Sequence, residues 1–492
     1  MNYFVTSNID ELTSAIEKSI IQRRRLFLKL GQAVKIVTRQ YDFAQGAVLA
    51  KLDLSDAVVN MFGYFQQLDR PVPASKINQL RRKISQMPFA GDTVTVDKKP
   101  RVVLHEQAGL INYVDYRDQF GFTDRRDYYF RNQLSYSEYF DDGGKLITRS
   151  YRNDSGAQIL TYHYRGGEGN VPVLTLIQLD YEERGYQFDN EDQLFAFFLD
   201  HLVVADPAPV LFADRDDVAV QAFLAMQVPA KRIMMLHSIF TTNGKPDGDM
   251  FKNFEDAFRS PKSFTGFVAA TKREVADVHA RDVTIPGVAI PPSFVPDELV
   301  NAPRGTKHVP TRVIAVARVT PLKQLSHAIA SVIAAHAKNP AVTLDIWGYE
   351  ENWDNFNESR KLREQIASGD ASDYIRLRGY QADLNEVYEE AGLLLLTSEY
   401  EGFSMAVLEA LSHGVPVVSY DVNYGPAEMI ENGVNGYLVD PSDQYNLQRR
   451  VTELMTHPER LEKLGQGAKT SVQKWSEDAI ATRWSSFLKT LK

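Results

Sequence analysis

Five short apolar runs between residues 312 and 420 are separated by four segments with helical spacing, and this alternation constrains the fold more than any other feature. The runs are 312–317, 342–347, 375–378, 393–397 and 416–420. The segments between them are 324–338, 357–367, 384–391 and 405–413, with helices continuing to the end. A strand followed by a helix of this length returns parallel to itself, because a hairpin needs only a short turn. The pattern predicts a doubly wound parallel sheet with its ligand beyond the C-terminal ends of the strands.

The first half divides differently. Residues 1–60 read strand, helix, strand, with Gly31 as the residue that stops the helix. From 61 to 190 tyrosine and phenylalanine crowd the chain, and turn signals recur at 141–144, 153–156 and 166–167. The strand-rich stretches between those turns predict an antiparallel meander, which inside an α/β chain is an inserted subdomain. The α/β texture resumes near 191, and the prolines between 284 and 296 suit a linker. The expected organisation is therefore an N-terminal Rossmann-like acceptor domain from 1–60 and 191–295, and a β-rich insertion at 61–190. A C-terminal Rossmann-like domain follows at 296–475, and a last helix, 476–492, packs back on the N-terminal domain.

Composition narrows the chemistry. With no cysteine among 492 residues, thiol nucleophiles, disulfides and cysteine-held metals are excluded. A net charge of -9 disfavours bulk nucleic-acid binding. No window approaches the roughly 20 apolar residues of a membrane span, and the start, MNYFVTSNIDELT, lacks the pattern of a signal peptide. The expectation is a cytoplasmic protein, with peripheral association at the inner face of a membrane left open.

Two blocks carry the site. Ser398-Glu399-Tyr400-Glu401-Gly402-Phe403-Ser404-Met405 follows an apolar strand and opens a helix that contains Glu409 and closes at Gly414. A glycine there lets backbone approach a ligand, and the helix N-terminus suits a diphosphate. Glu401 and Glu409 offer carboxylates to two separate sets of hydroxyls. Arg318 and Lys323 flank a turn after the first strand of this sheet, where two cations neutralise a diphosphate leaving group. His237 ends a strand facing the cleft. Asp214-Arg215-Asp216 matches an acid–x–acid metal motif in form, but its arginine and helix-start position favour local ion pairing.

Together with the turn Leu377-Arg378-Gly379-Tyr380, these blocks resemble the retaining nucleotide-sugar glycosyltransferases of family four. The resemblance implies the GT-B fold: two Rossmann-like domains, here α/β with an inserted antiparallel β-meander subdomain. It implies that Arg318 and Lys323 bind the diphosphate, that Glu409 takes the ribose hydroxyls, and that Gly379 and Tyr380 lie beside the nucleobase. Glu401, with Gly402 and the backbone of Phe403, Ser404 and Met405, would hold the donor sugar. His237 would touch donor sugar or acceptor. No metal or other cofactor is implied beyond the UDP-sugar donor.

The opening Tyr3-Phe4-Val5, the segments at 13–17 and 24–31 and the meander resemble the bacterial poly(glycerol-phosphate) α-glucosyltransferases of wall teichoic acid. Thr13-Ser14-Ala15 stands where relatives carry a glycine-rich turn, which makes Ser14 and Ala15 candidate acceptor contacts. The implied reaction is transfer of a glucose-type unit from a UDP-sugar to a polyanionic polyol-phosphate polymer. One alternative is O-glycosylation of Ser/Thr in an adhesin-like protein. Another is a catalytically silent partner subunit, against which the four intact residues Arg318, Lys323, Glu401 and Glu409 argue. A meander needs its faces and edges covered, so a homo-oligomer through 61–190 is expected, with Arg81, Arg82, Lys98 and Lys99 on a polymer-facing surface.

Overall fold

The structure, a computed structural model, describes residues 1–491 apart from 11–13, 43–44, 69–76, 108–109, 131, 168, 170 and 353–354. Three sheets organise it. The first has seven parallel strands in the order Gly287–Ala289, Gly266–Ala269, Lys231–Met235, Val210–Ala213, Asn2–Thr6, Val34–Thr38 and Val58–Asn60. The third has six, in the order Ile375–Gly379, Thr343–Trp347, Arg312–Val316, Leu393–Leu396, Val417–Tyr420 and Gly436–Val439. Both bury their central strands on two faces, which is why Asn2–Thr6 and Leu393–Leu396 read as unbroken buried runs. Strand Gly436–Val439 falls where the sequence suggests only helices, because four residues carry too little periodicity to betray a strand.

Inserted in the chain between two strands of the first sheet, Val58–Asn60 and Val210–Ala213, is a nine-stranded antiparallel sheet, from Thr93–Val96 to Arg184–Phe188, each strand pairing with its neighbour in sequence. The strands begin later than residue 61: Met61–Gln66 and Ile77–Ile84 are helices. Those helices cover the sheet from within the chain. Met61, Phe62 and Phe65 pack with Tyr151, Tyr162 and Ile177 in a core shared with the helix Glu191–Val203. Leu80 joins Leu104, Ile111, Val114 and Tyr129 in a separate small core. These helices cover part of the meander, while Phe120, Phe122, Ile147, Val171 and Val173 stay exposed.

The proline-rich segment encloses the edge strand Gly287–Ala289 before it crosses to the third sheet. Val295 N–H donates to Trp475 O at 2.8 Å and Glu477 N–H donates to Val295 O at 3.0 Å, so two passages of the chain between the halves run side by side. Beyond them the helix Glu477–Thr490 docks on the N-terminal half. Trp484 meets the ring of Phe27 at 5.2 Å and that of Phe212 at 6.0 Å, in edge-on contacts.

Candidate active site

The cleft lies between the first and third sheets, where the exits of the third sheet's strands meet the N-terminal half. After Arg312–Val316 the chain turns through Pro321–Lys323, and Gln324 takes a left-handed φ of 43°. Lys323 Nζ donates to Glu401 Oε1 at 2.6 Å, and Ser398 Oγ donates to the same oxygen at 2.6 Å. The backbone of Glu401 is held as well: its N–H donates to Asn423 O at 2.7 Å, and its carbonyl accepts from Tyr424 N–H. Arg318 is half-exposed and pairs with Glu351 at 2.6 Å.

Ser404, with φ 70°, precedes the helix Met405–Ser412, and no side chain caps that helix. Its first N–H groups are left for a ligand. Gly402 marks a close approach of the two halves, since a Cβ there would lie 2.5 Å from His237 O and 2.8 Å from Ser238 Cα. Across the same contact, a Cβ on Gly244 would lie 2.7 Å from the ring of Tyr400. Neither position has room for a side chain.

Glu409 accepts from Tyr388 Oη at 2.9 Å, and burial pushes its carboxyl above the ordinary range. Tyr388 and, from the N-terminal half, Lys18 act in the opposite direction. Lys18 belongs to the helix Ala15–Lys29, so the start of that helix faces the Glu409 side of the cleft. Ser14 is committed as its N-cap, accepting from Ile16 N–H, while Ser14 N–H donates to Glu17 at 2.8 Å. Ala15 is exposed, and Thr13 lies outside the described residues. Gly379 ends its strand at φ 78° with open space around it.

Several buried polar atoms on this edge have no partner: Thr320 Oγ1, Gln324 Oε1, Trp347 Nε1 and Tyr380 Oη. Thr320 and Gln324 lie in the turn after the first strand, Trp347 ends the second, and Tyr380 follows the third. Buried polar atoms without partners are rare in folded proteins, and four around one strand edge suit a polar ligand. Of these, only Tyr380 is recognisable as a candidate from the sequence.

His237 follows the strand Lys231–Met235 and donates from Nε2 to Asp214 at 2.8 Å. Local pairing within 214–216 is not what the structure shows. Asp214 bonds Arg23 and His237, Arg215 reaches Glu17 at 2.7 Å, and Asp216 accepts from Asn253. Strand-to-helix turns bring distant residues closer to these side chains than their sequence neighbours. Among the described residues no group of three or more His, Cys, Asp or Glu side chains is arranged to hold a metal ion. No helix among them is long and apolar enough to cross a membrane.

The basic clusters are largely engaged internally. Arg23 is buried, Arg81 pairs with Asp92 and Glu106, Lys99 donates to Gln119 O, and Arg126 pairs with Asp115. Of the four expected polymer-facing residues, Arg82, Lys98 and Lys99 are exposed and Arg81 is partly buried.

The family described as Glycosyl transferases group 1 matches residues 301–471. The chain is 25% identical over 464 residues to the UDP-N-acetylglucosamine–peptide N-acetylglucosaminyltransferase GtfA subunit of Streptococcus gordonii, covering 90% of this chain and 88% of that one. It is 21% identical over 509 residues to the poly(glycerol-phosphate) alpha-glucosyltransferase of Bacillus subtilis, covering 98% and 74%. The same fold occurs in S. aureus TarM, with a TM-score of 0.83 at 17% identity over 98% of both chains. In the solved GtfA/B complex the TM-score is 0.77 at 22% identity, over 100% of this chain and 99% of that one.

The expected homo-oligomer does not stand. Neighbours of this architecture are solved in assemblies of different chains: the GtfA/B complex, accessory secretory proteins 1, 2 and 3 of Streptococcus pneumoniae, and the Gap123 complex of Streptococcus agalactiae. The chain's own helices also supply part of the cover that the meander needs. With the two Rossmann-like sheets and the family match in place, the chain is a retaining nucleotide-sugar glycosyltransferase of GT-B fold, similar to GtfA and TarM.

Proposed function

We propose that the chain transfers N-acetylglucosamine from UDP-N-acetylglucosamine to Ser/Thr hydroxyls of an adhesin-like protein, as the catalytic member of a complex with a different chain. The observation that carries this reading is the near full-length relationship to GtfA subunits, including one from Streptococcus agalactiae at 24% identity over 99% of this chain and 98% of the relative. The solved GtfA/B complex supports a second, distinct chain as partner.

In this reading Arg318 and Lys323 take the diphosphate. Glu401 keeps its bond from Lys323 and accepts from a sugar hydroxyl with a remaining lone pair, beside the N–H groups at 403–405. Glu409 accepts from the ribose, and Gly379 and Tyr380 flank the base. Arg318 and Lys323, with the helix N-terminus, provide leaving-group stabilisation of the kind fixed dipoles and charges supply. The departing phosphate oxygen takes the proton of the incoming hydroxyl on the same face, and configuration is retained.

The test offers the purified protein UDP-N-acetylglucosamine or UDP-glucose with either a Ser/Thr-rich peptide or poly(glycerol phosphate). Sugar on the peptide, with N-acetylglucosamine preferred, is the expected result. Transfer to the polymer alone would overturn it and restore the teichoic-acid reading, which the Bacillus subtilis relative supports over 98% of the chain.

A further inference from the structure

Tyr424 crosses the boundary between the halves. In the chain it lies between the third-sheet strand Val417–Tyr420 and the short helix Gly425–Met429. Yet it is 1% exposed and belongs to the buried core of the N-terminal half, with Leu236, Ile239, Phe240 and Val278 among its members. Among the described residues, every other buried member of that core comes from residues 3–285. Tyr400 is the one partly buried side chain of the C-terminal half that packs against it. An aromatic ring seated in the opposite partner is the usual anchor of a protein interface.

The main chain at Tyr424 holds the loop that carries Glu401. Tyr424 N–H donates to Glu401 O, and Glu401 N–H donates to Asn423 O at 2.7 Å, a reciprocal pair that forms a parallel bridge. Gly425 is pressed against the same loop, since a Cβ there would lie 1.8 Å from Phe403 O. Asn423 Nδ2 reaches across to Gly244 O at 3.4 Å, beside the contact of Gly244 with Tyr400. At its other end the ring makes no hydrogen bond. Tyr424 Oη is buried without a partner, as are Asp277 Oδ2 and Glu274 Oε1. Positions 274 and 277 share one face of the helix Lys272–His279. Burial pushes the phenol up and Asp277 and Glu274 push it further, while Arg273 acts in the opposite direction, so the hydroxyl keeps its proton. The ring can therefore shift in its seat without breaking a side-chain hydrogen bond, which suits a contact between domains that move.

We propose that Tyr424 is a positioning residue: its ring pins the Glu401 loop to the core of the N-terminal half, so that the loop is ordered only while the two halves are together. This deepens the transferase reading and rests on it. One residue bonds the backbone of Glu401 and places its side chain in the other half, so a sugar held at Glu401 is registered against the half that receives the acceptor. Separation of the halves withdraws the ring and loosens the loop in the same movement.

The pin can be read without turnover, by amide hydrogen exchange on the intact chain. In Tyr424→Ala the amides of 399–405 should lose protection, while the strands Arg312–Val316 and Leu393–Leu396 keep theirs. Tyr424→Phe, which retains the ring, should protect the loop as the unsubstituted chain does. Unaltered protection at 399–405 in folded Tyr424→Ala overturns the proposal, whatever the transfer assays show. In those assays Tyr424→Ala should lower kcat about 100-fold, the scale of a small misplacement of reacting groups, with UDP affinity by calorimetry unchanged. Tyr424→Phe should restore most of the rate. If Tyr424→Ala fails to fold, Tyr424→Leu refills part of the seat and takes its place in both measurements. A residue that only stabilises the fold would lower the melting temperature and leave the kcat of the folded protein unaltered, and that result overturns the role in transfer.

Discussion

Lys323 and Glu401, 78 positions apart in the chain, meet at 2.6 Å and are each nearly nine-tenths buried. The pair ties the turn after the strand Arg312–Val316 to the loop before the helix Met405–Ser412. Each side chain has remaining capacity for a ligand: two further N–H donors on the lysine and further lone pairs on the glutamate. In the proposed reading, these two groups are oriented before any donor arrives.

Lys323→Ala should therefore lower kcat by about 100–1000-fold, the usual loss when one group stabilising a developing charge is removed. Arg318→Ala should act in the same direction. Steady-state kinetics with saturating donor check this, and an unchanged kcat in both variants would falsify the diphosphate assignment.

Glu409 carries a signed pH effect. Its carboxyl lies above the ordinary range because of burial, so the form that accepts from ribose is lost as pH falls, sooner than for an exposed glutamate. UDP binding measured by calorimetry should weaken on acidification. Glu409→Gln should remove that pH dependence and raise the donor KM more than it lowers kcat. Identical pH profiles in the two proteins would contradict it.

Gly402→Ala puts a methyl group 2.5 Å from His237 O and 2.8 Å from Ser238 Cα, both backbone atoms that cannot rotate away. The halves must separate, at a cost of about 1–3 kcal/mol typical of overpacking. Small-angle scattering should show a more open particle. Transfer should fall while UDP binding persists.

Glu274 supplies a stability test. It is fully buried in the helix Lys272–His279, and burial drives its carboxyl well above the ordinary range. The folded state therefore keeps a proton that the unfolded state releases, and stability falls as pH rises from the unfolded value toward the folded one. Glu274→Gln should be more resistant to denaturant than the unsubstituted chain at pH 8, with the difference shrinking toward pH 4. A constant difference across that range would show that the carboxyl is charged in the fold.

Much of this architecture can be read in the residues. Buried parallel strands leave unbroken apolar runs, and helix–strand spacing fixes the sheet's direction, so the strand at 393–396 and the helix at 405–412 stand out from residue spacing alone. The short strand Gly436–Val439 does not, since it is recognisable only by its pairing with Val417–Tyr420. Site residues on the cleft motifs share the same legibility. Arg23 does not: it sits in an Arg-Arg-Arg run that looks like a solvated face, and its burial depends on three rings from three distant segments. Trp347 and Thr320 are silent for a similar reason, because an unpartnered atom is visible only once every neighbour is placed.

The docking of Trp484 against Phe27 and Phe212 has a consequence for how the chain is born. Phe212 leaves the ribosome roughly 270 residues before Trp484, on the order of 15–50 s at ordinary rates of synthesis. During that interval the nascent first half has its strands but lacks the tryptophan that seals its aromatic cluster. It is then a natural client for chaperones, and truncation anywhere before the last helix should leave a sticky, unsealed half in place of a smaller stable protein.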